Sequence, residues 1–173
     1  MFLPLRCSIL PYLYFDRTQL FMLIEEESGA TIGQVRFRVR YAETDKMGVV
    51  YNSNYLIWFE LGRVELMRDL GSSYRDMEED GYMLPVAEAS CRFKDAAAYD
   101  DEILIRTRIV RLRRSLIQFD YEIYRAEDLK LLATGTTTHF VTGFDKQRRP
   151  LSDCYMSQFE RALAKGAAAK AAP

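Results

Sequence analysis

The chain has 173 residues, of which 49% are apolar and 28% charged, and its formal net charge is -1 at pH 7. This composition suits one soluble globular domain, and the near-neutral charge excludes a general affinity for nucleic acid or for an anionic membrane. The chain has one histidine and three widely spaced cysteines. These residues indicate neither a zinc centre nor a disulfide framework. We therefore expect a cytoplasmic protein without a metal or a cofactor.

Both ends of the chain differ from its middle. Residues 1–32 begin with an apolar stretch that prolines and charges interrupt, and its longest uncharged run is too short to span a bilayer. We interpret this segment as a poorly ordered N-terminal extension, with Met22 as the natural start of the chain. Residues 165–173 are rich in alanine and lysine and predict a flexible tail. A single domain is expected over residues 33–164.

The first predicted element is a strand over Gln34–Tyr41, where apolar residues, Tyr41 among them, face one side and arginines the other. A turn follows, and then a long helix, which Ser53 or a neighbour can cap, runs to about Leu70, where Gly71 ends it. This helix is apolar over most of its circumference, so we expect other elements to surround it.

A short polar helix, four strands and a last amphipathic helix complete the prediction. The short links between the last three strands indicate antiparallel hairpins. The order of elements predicts an α+β fold with one sheet folded over one helix. The predicted ranges are Tyr74–Asp80 for the short helix, Met83–Phe93, Glu102–Leu112, Leu116–Arg125 and Leu131–Thr142 for the strands, and Ser152–Ala164 for the last helix.

The turn Thr44–Gly48 places Asp45 directly before the apolar helix. An aspartate in a loop is most often a turn former. Here the helix N-terminus adds unpaired backbone N–H groups and a favourable dipole, and Gly48 lets the backbone approach a ligand closely. A carboxylate beside such donors suits acyl transfer, because the donors stabilise a developing oxyanion.

The segment TDKMGVVYNSNYLIWFELGRVELMRDLG resembles the hotdog-fold acyl-CoA thioesterases of the 4-hydroxybenzoyl-CoA thioesterase-like group. The shared features are an aspartate with a glycine three residues later, Val-Val-Tyr, Asn-Tyr, and Phe-Glu-x-x-Arg on the helix. The resemblance implies an antiparallel sheet wrapped around a long central helix. It also implies hydrolysis of an acyl-CoA thioester by a homodimer or homotetramer.

The resemblance assigns site residues one by one. It makes Asp45 the catalytic carboxylate, and it places an oxyanion-binding backbone N–H at Asn52, with Tyr51 beside it. It adds substrate-contacting positions at Tyr41, Gly48, Val49 and Val50. One branch of the family has a histidine where this chain has Asn52. An amide does not titrate near neutral pH, so a mechanism that uses only the backbone N–H of Asn52 fits this chain.

Basic residues later in the chain are candidates for the phosphates of coenzyme A. Arg113, Arg114 and Ser115 fall in a predicted hairpin turn, and the resemblance places such residues near the phosphates; Arg148 or Arg149 are further candidates. His139 alternates with inward-facing strand residues, and a packed residue is the more common role for such a histidine. Glu60 and Arg63 are three residues apart on the long helix and are expected to pair.

Two other functions compete with hydrolysis. One is a non-catalytic module that binds acyl-CoA or acyl carrier protein, which Asn52 favours. The other is a purely structural oligomer, which leaves the acidic turn unexplained.

Overall fold

The computed structural model describes residues 20–25 and 31–163. An antiparallel sheet of six strands and three helices make up this part of the chain. None of these helices is long and apolar enough to cross a membrane. The strands are β1 (Leu20–Glu25), β2 (Thr31–Arg38), β3 (Val86–Phe93), β4 (Glu102–Arg113), β5 (Leu116–Arg125) and β6 (Lys130–Phe140); the helices are α1 (Asn54–Asp69), α2 (Tyr74–Glu79) and α3 (Asp153–Ala162).

The sheet has the order β1-β2-β4-β5-β6-β3. On β5, alternation decides which face is buried: the four buried side chains are the four predicted from the sequence, Ile117, Phe119, Tyr121 and Ile123. The long helix α1 packs on this face, where Phe59 stacks on Tyr121 with ring centroids 4.3 Å apart. The structure is therefore the expected α+β hotdog fold, with a sheet around a long central helix.

One flank of α1 remains open in the protomer. Leu56 and Ile57 are 46% and 54% exposed, whereas Trp58 and Phe59 are buried. The same side of the sheet ends at β3, whose residues are nearly all exposed and which pairs only with β6 among the described strands. The expectation that other elements surround α1 thus fails on this flank, because none of the described elements covers it.

The sheet includes a strand that the sequence analysis does not predict. β1 pairs with β2 over its whole length, from Leu20 opposite Arg36 to Glu25 opposite Thr31. It lies within the segment 1–32 that the sequence analysis sets apart from the domain, and Met22 is its third residue. The remainder of the proposed extension, residues 1–19 and 26–30, and the proposed tail lie outside the described residues.

The prediction for Tyr41 is wrong. Strand β2 ends at Arg38, and Tyr41–Glu43 form a single 3-10 turn, so Tyr41 is 78% exposed instead of facing the core. The regular pairing with β4 ends at Arg38 opposite Glu102, and Val39 bonds with the loop before β4: its N–H donates to Asp101 O and its carbonyl accepts from Asp100 N. The chain then turns away from the sheet toward the N-terminus of α1.

Candidate active site

The loop from Arg40 to Asn52 is fastened to α1 by the carboxylate of Glu43. This side chain is 4% exposed. Its Oε1 accepts hydrogen bonds from Trp58 Nε1 and from Arg40 Nη2, each at 3.0 Å, and its Oε2 accepts from Arg40 N at 2.7 Å. Burial raises the pKa of Glu43, but these hydrogen bonds outweigh it and hold the pKa below its ordinary value. Glu43 is therefore ionised at neutral pH.

The backbone of Glu43 closes the loop. Its carbonyl oxygen accepts from Tyr51 N at 2.9 Å and from Asn54 Nδ2 at 2.8 Å. One residue therefore joins the start of the loop, its end and the first residue of α1. An isolated bridge between Thr44 and Val50 continues this pairing.

Asp45 lies at the tip of this closed loop and is partly exposed. Its Oδ1 accepts from Met47 N at 2.7 Å, which is the Asx turn that the turn-former interpretation predicts. Its Oδ2 accepts no hydrogen bond from the described residues. Gly48 completes the turn with a φ of 77°, a conformation that glycine adopts without a steric penalty. Asp45 thus shapes the loop with one oxygen and keeps the other available.

The backbone N–H groups at the start of α1 are the donors that the sequence analysis expects. The amides of Asn52 and Ser53 donate to no acceptor in the described part of the chain, whereas Asn54 N donates to Tyr51 O at 3.0 Å. Ser53 stands at the predicted cap position, but its side chain accepts no capping hydrogen bond. Asn52 and Tyr51 are both exposed beside these amides.

The remaining loop residues dock onto the segment before β4. Val50 N donates to Ala97 O at 2.8 Å, and Val49 forms a bridge with Ala98. Beside them, the exposed rings of Tyr41 and Tyr99 make an edge-to-face pair with centroids 5.6 Å apart. These contacts hold the loop that carries Asp45 against the segment before β4.

The predicted phosphate-binding residues lie far from this loop within one protomer. Arg38 pairs with Glu102 at the first residue of β4, whereas Arg113 is the last residue of that strand. Twelve residues of strand at about 3.3 Å each put about 35 Å between the two ends. Arg114 also donates to Asp153 Oδ1 at 2.7 Å, and Ser115 accepts from Val141 N through its carbonyl. The structure therefore does not bring Arg113, Arg114 and Ser115 to Asp45 of the same chain.

His139 is held in the core by a chain of hydrogen bonds. Its Nδ1 lies 3.0 Å from Leu84 O, which can only accept, so Nδ1 carries the proton and Nε2 accepts from Thr137 Oγ1 at 2.8 Å. Tyr121 completes the chain by donating to Thr137 Oγ1 at 2.7 Å. Burial lowers the pKa of His139 to about 4, with a smaller contribution from the charge of Arg63. His139 is thus a neutral packing residue, the more common role for a histidine at such a position.

Sequence reasoning misses Glu43 and Trp58. A glutamate beside a turn is usually solvated, and a tryptophan on a core helix is usually only apolar filling. The available signal is the spacing: Glu43 lies three residues after Arg40, so its carboxylate can accept from the Arg40 backbone and guanidinium, and its Oε1 also accepts from the indole N–H.

Comparison with known proteins identifies the family of this chain. Residues 39–165 match the family model of the thioesterase-like superfamily. YneP of Bacillus subtilis, which carries a provisional name as an acyl-CoA thioesterase, is 38% identical over 106 residues, covering 61% of this chain and 77% of its own. The acyl-CoA thioester hydrolase YbgC of Escherichia coli is 26% identical over 124 residues, covering 72% and 92%. The crystal structure of a DHNA-CoA thioesterase from Staphylococcus aureus superposes with a TM-score of 0.68 at 33% identity, covering 76% and 87%. The chain belongs to the thioesterase-like superfamily.

Proposed function

We propose that this protein hydrolyses an acyl-CoA thioester to a free acid and coenzyme A. The observation that carries the proposal is made on the described residues: one oxygen of the Asp45 carboxylate accepts no hydrogen bond, and the nearby amides of Asn52 and Ser53 donate to no acceptor, at a loop that Glu43 fastens to α1. The names of the relatives YneP and YbgC and of the Staphylococcus aureus enzyme point to the same reaction.

In this mechanism Asp45 acts as a general base. Its Oδ2 takes a proton from a water molecule, whose oxygen bonds to the thioester carbonyl carbon. The oxyanion that forms accepts hydrogen bonds from the Asn52 N–H, and its collapse breaks the C–S bond. The proton held by Asp45 then goes to the departing thiolate. The partial exposure of Asp45 gives water access to it.

The mechanism makes no use of the Asn52 side chain. A proton shuttle at position 52 is unnecessary because the carboxylate supplies the base and the backbone supplies the donor. Further residues of the same loop are proposed to contact the substrate near its thioester. They are Tyr41, Gly48, Val49, Val50 and Tyr51.

We further propose a homodimer in the cytoplasm. The exposed edge of β3 and the open flank of α1 lie on one side of the protomer, and an uncovered strand edge of this kind favours pairing with a second copy. Arg113, Arg114 and Ser115 then reach a coenzyme A phosphate at a site in another protomer rather than in their own. Cys91 and Cys154 are free thiols, which suits a reducing compartment.

The test is a thiol-release assay over a panel of acyl-CoA and acyl carrier protein thioesters, with wild type and two aspartate variants. Asp45→Asn keeps an oxygen for the Asx turn but removes the base, so kcat should fall by about 100-fold or more. Asp145→Asn is the matched control, because Asp145 accepts from Gln147 N at 3.0 Å in a similar turn elsewhere. Full activity in Asp45→Asn would overturn the proposal.

Two further results separate the alternatives. A wild type that binds acyl-CoA saturably but releases no thiol, before and after Asn52→His, supports the non-catalytic module instead. A turnover in ¹⁸O-labelled water tests the base role, since label in the Asp45 carboxylate would show that Asp45 attacks the thioester itself.

A further inference from the structure

A cavity of about 200 Å³ opens on the uncovered flank of α1, between this helix and strands β3 and β6. Its outer part is apolar, with Leu56 and Ile57 from α1 and Val86 from β3. Its inner part is polar, with Arg63, Thr137 and His139, and the largely exposed carboxylate of Glu60 also lines the cavity, beside Arg63. An engineered cavity of about 150 Å³ holds a benzene molecule, so this one has room for a short acyl chain.

The polar side chains of β6 that line the cavity, Thr137 and His139, have no free hydrogen-bond donor. The Tyr121 hydroxyl donates to Thr137, Thr137 donates to His139 Nε2, and His139 Nδ1 donates to Leu84 O. Every proton in this chain is used within the protein. The histidine therefore lines the cavity as a neutral acceptor whose lone pair is already occupied.

Arg63 is different, because its charge is buried without an adequate partner. Its side chain is 9% exposed, and its nearest carboxylate oxygen, Glu60 Oε2, is 3.9 Å from Nη2 on a side chain that is 65% exposed. Nη1 is buried and has no hydrogen-bond partner in the described part of the chain. The guanidinium also lies 5.8 Å from the Tyr74 ring centroid, which gives it only weak compensation. A buried guanidinium without a close carboxylate is stabilised when it binds an anion.

We propose that this cavity is the acyl-binding site and that it selects acyl groups whose far end carries a carboxylate, which pairs with Arg63. The inference rests on the proposed hydrolysis and names its substrate class. A carboxylate is the partner that a guanidinium binds best, through two parallel hydrogen bonds. The apolar entrance formed by Leu56, Ile57 and Val86 suits the methylene chain between the carboxylate and the thioester.

The spacing along α1 sets the length of the chain. Eleven residues separate the Asn52 amide, where the thioester carbonyl binds, from Arg63, which is about 16 Å at the helical rise. Long side chains on a helix lean toward its N-terminus, so the guanidinium of Arg63 lies several ångströms closer to the Asn52 amide than the Arg63 backbone does. The remaining length of roughly 10 Å suits an acyl group of roughly eight carbons at ordinary bond lengths.

The experiment compares two thioesters of equal chain length, octanoyl-CoA and the monothioester octanedioyl-CoA, by thiol release. Wild type should prefer octanedioyl-CoA by about 10- to 100-fold in kcat/KM, the expected contribution of a desolvated, charge-assisted pair. In Arg63→Met, which keeps the volume and loses the charge, the ratio of the two kcat/KM values should fall to one or below. Arg63→Lys, which keeps the charge, should restore part of the preference. The exposed Arg75→Met on α2 is the control and should leave the ratio unchanged.

A second readout separates this inference from the proposed function. The rise in melting temperature with each thioester is measured on wild type, which requires no turnover. A larger rise with octanedioyl-CoA but no thiol release from any thioester would preserve the site and overturn the hydrolysis. Thiol release at equal rates from both thioesters, with equal shifts, would overturn the site and preserve the hydrolysis. If Arg63→Met instead weakens self-association and leaves the ratio unchanged, the anion is a carboxylate of a second copy and the inference fails.

Discussion

The buried carboxylate of Glu43 gives the sharpest test of how the candidate site is built. In Glu43→Gln the side chain keeps its size and loses one acceptor. If the amide oxygen occupies the Oε1 position, the amide nitrogen faces the donor Arg40 N; if it occupies the Oε2 position, the nitrogen faces Trp58 Nε1 and the Arg40 guanidinium. In either orientation the amide N–H group of the glutamine faces at least one other donor and no acceptor.

The magnitude follows from these contacts. An unsatisfied buried donor costs about 1–3 kcal/mol, and the lost ion pair with Arg40 adds little because that side chain is largely exposed. We expect the free energy of unfolding to fall by about 2–3 kcal/mol. We also expect kcat for thiol release to fall by roughly 10-fold, since the Glu43 backbone holds Tyr51 and Asn54 in place and a misplaced catalytic loop lowers the rate.

The assay pairs urea unfolding with steady-state thiol release, and Glu79→Gln serves as the matched control. Glu79 pairs with Arg75 at 3.2 Å on the surface, so its loss should change the unfolding free energy by no more than about 0.5 kcal/mol. An unfolding free energy within that margin for Glu43→Gln would refute the reasoning about buried donors. A large loss of stability with unchanged kcat would show that Glu43 supports the fold without positioning the loop.

Two further predictions concern the core. Gly135→Ala should lower the free energy of unfolding by about 1–3 kcal/mol in urea denaturation, because a Cβ there would overlap the Phe59 ring and lie 2.6 Å from Ser90 O; a change below 0.5 kcal/mol would contradict this. The pKa of His139 is about 4 in the folded chain, against 6.5 for the free side chain. As the pH drops from 6.5 toward 4, the unfolded chain takes up a proton before the folded chain does, so the free energy of unfolding falls by up to about 3 kcal/mol. Above pH 6.5 this loss is absent. Urea unfolding of wild type and His139→Gln at several pH values in this window should give a shallower pH dependence for the variant, and equal slopes would show that other groups dominate.

The strong periodic patterns of the sequence predict most of the fold. β5 is predicted at its observed bounds, and α1 within a residue or two, because their alternating and helical patterns span many residues. β1 escapes prediction because LFMLIE is apolar on both faces and lies in a segment broken by prolines, so it shows no alternation. Tyr41 is misplaced for the opposite reason: the alternation continues past Arg38, although the pairing with β4 ends there.

The site is predicted less completely than the fold. A family motif points to Asp45 and Asn52, and within the described residues each of them has one polar atom without a hydrogen-bond partner. The same motif contains Arg63 but does not indicate that its Nη1 is buried without a hydrogen-bond partner among the described residues, and it does not include Glu43. A buried charge requires a partner, whereas an exposed charge does not, and only the folded chain shows which charges are buried.

The separation along β4 bears on the assembly as well as on the substrate. The loop that carries Asp45 docks on the segment before β4, whereas Arg113 ends this strand, which is about 35 Å long; we therefore propose that the two residues serve one coenzyme A molecule from different protomers. The exposed β3 edge and the open flank of α1 lie together on one side of the protomer, and the cavity that leads to Arg63 opens between them. A second copy docked on this side would cover the exposed Leu56 and Ile57 and seal the cavity from water. Sealing would in turn strengthen the pairing of Arg63 with a substrate carboxylate, because the attraction between two charges grows as water is excluded. Assembly and acyl selectivity are therefore expected to depend on the same surface.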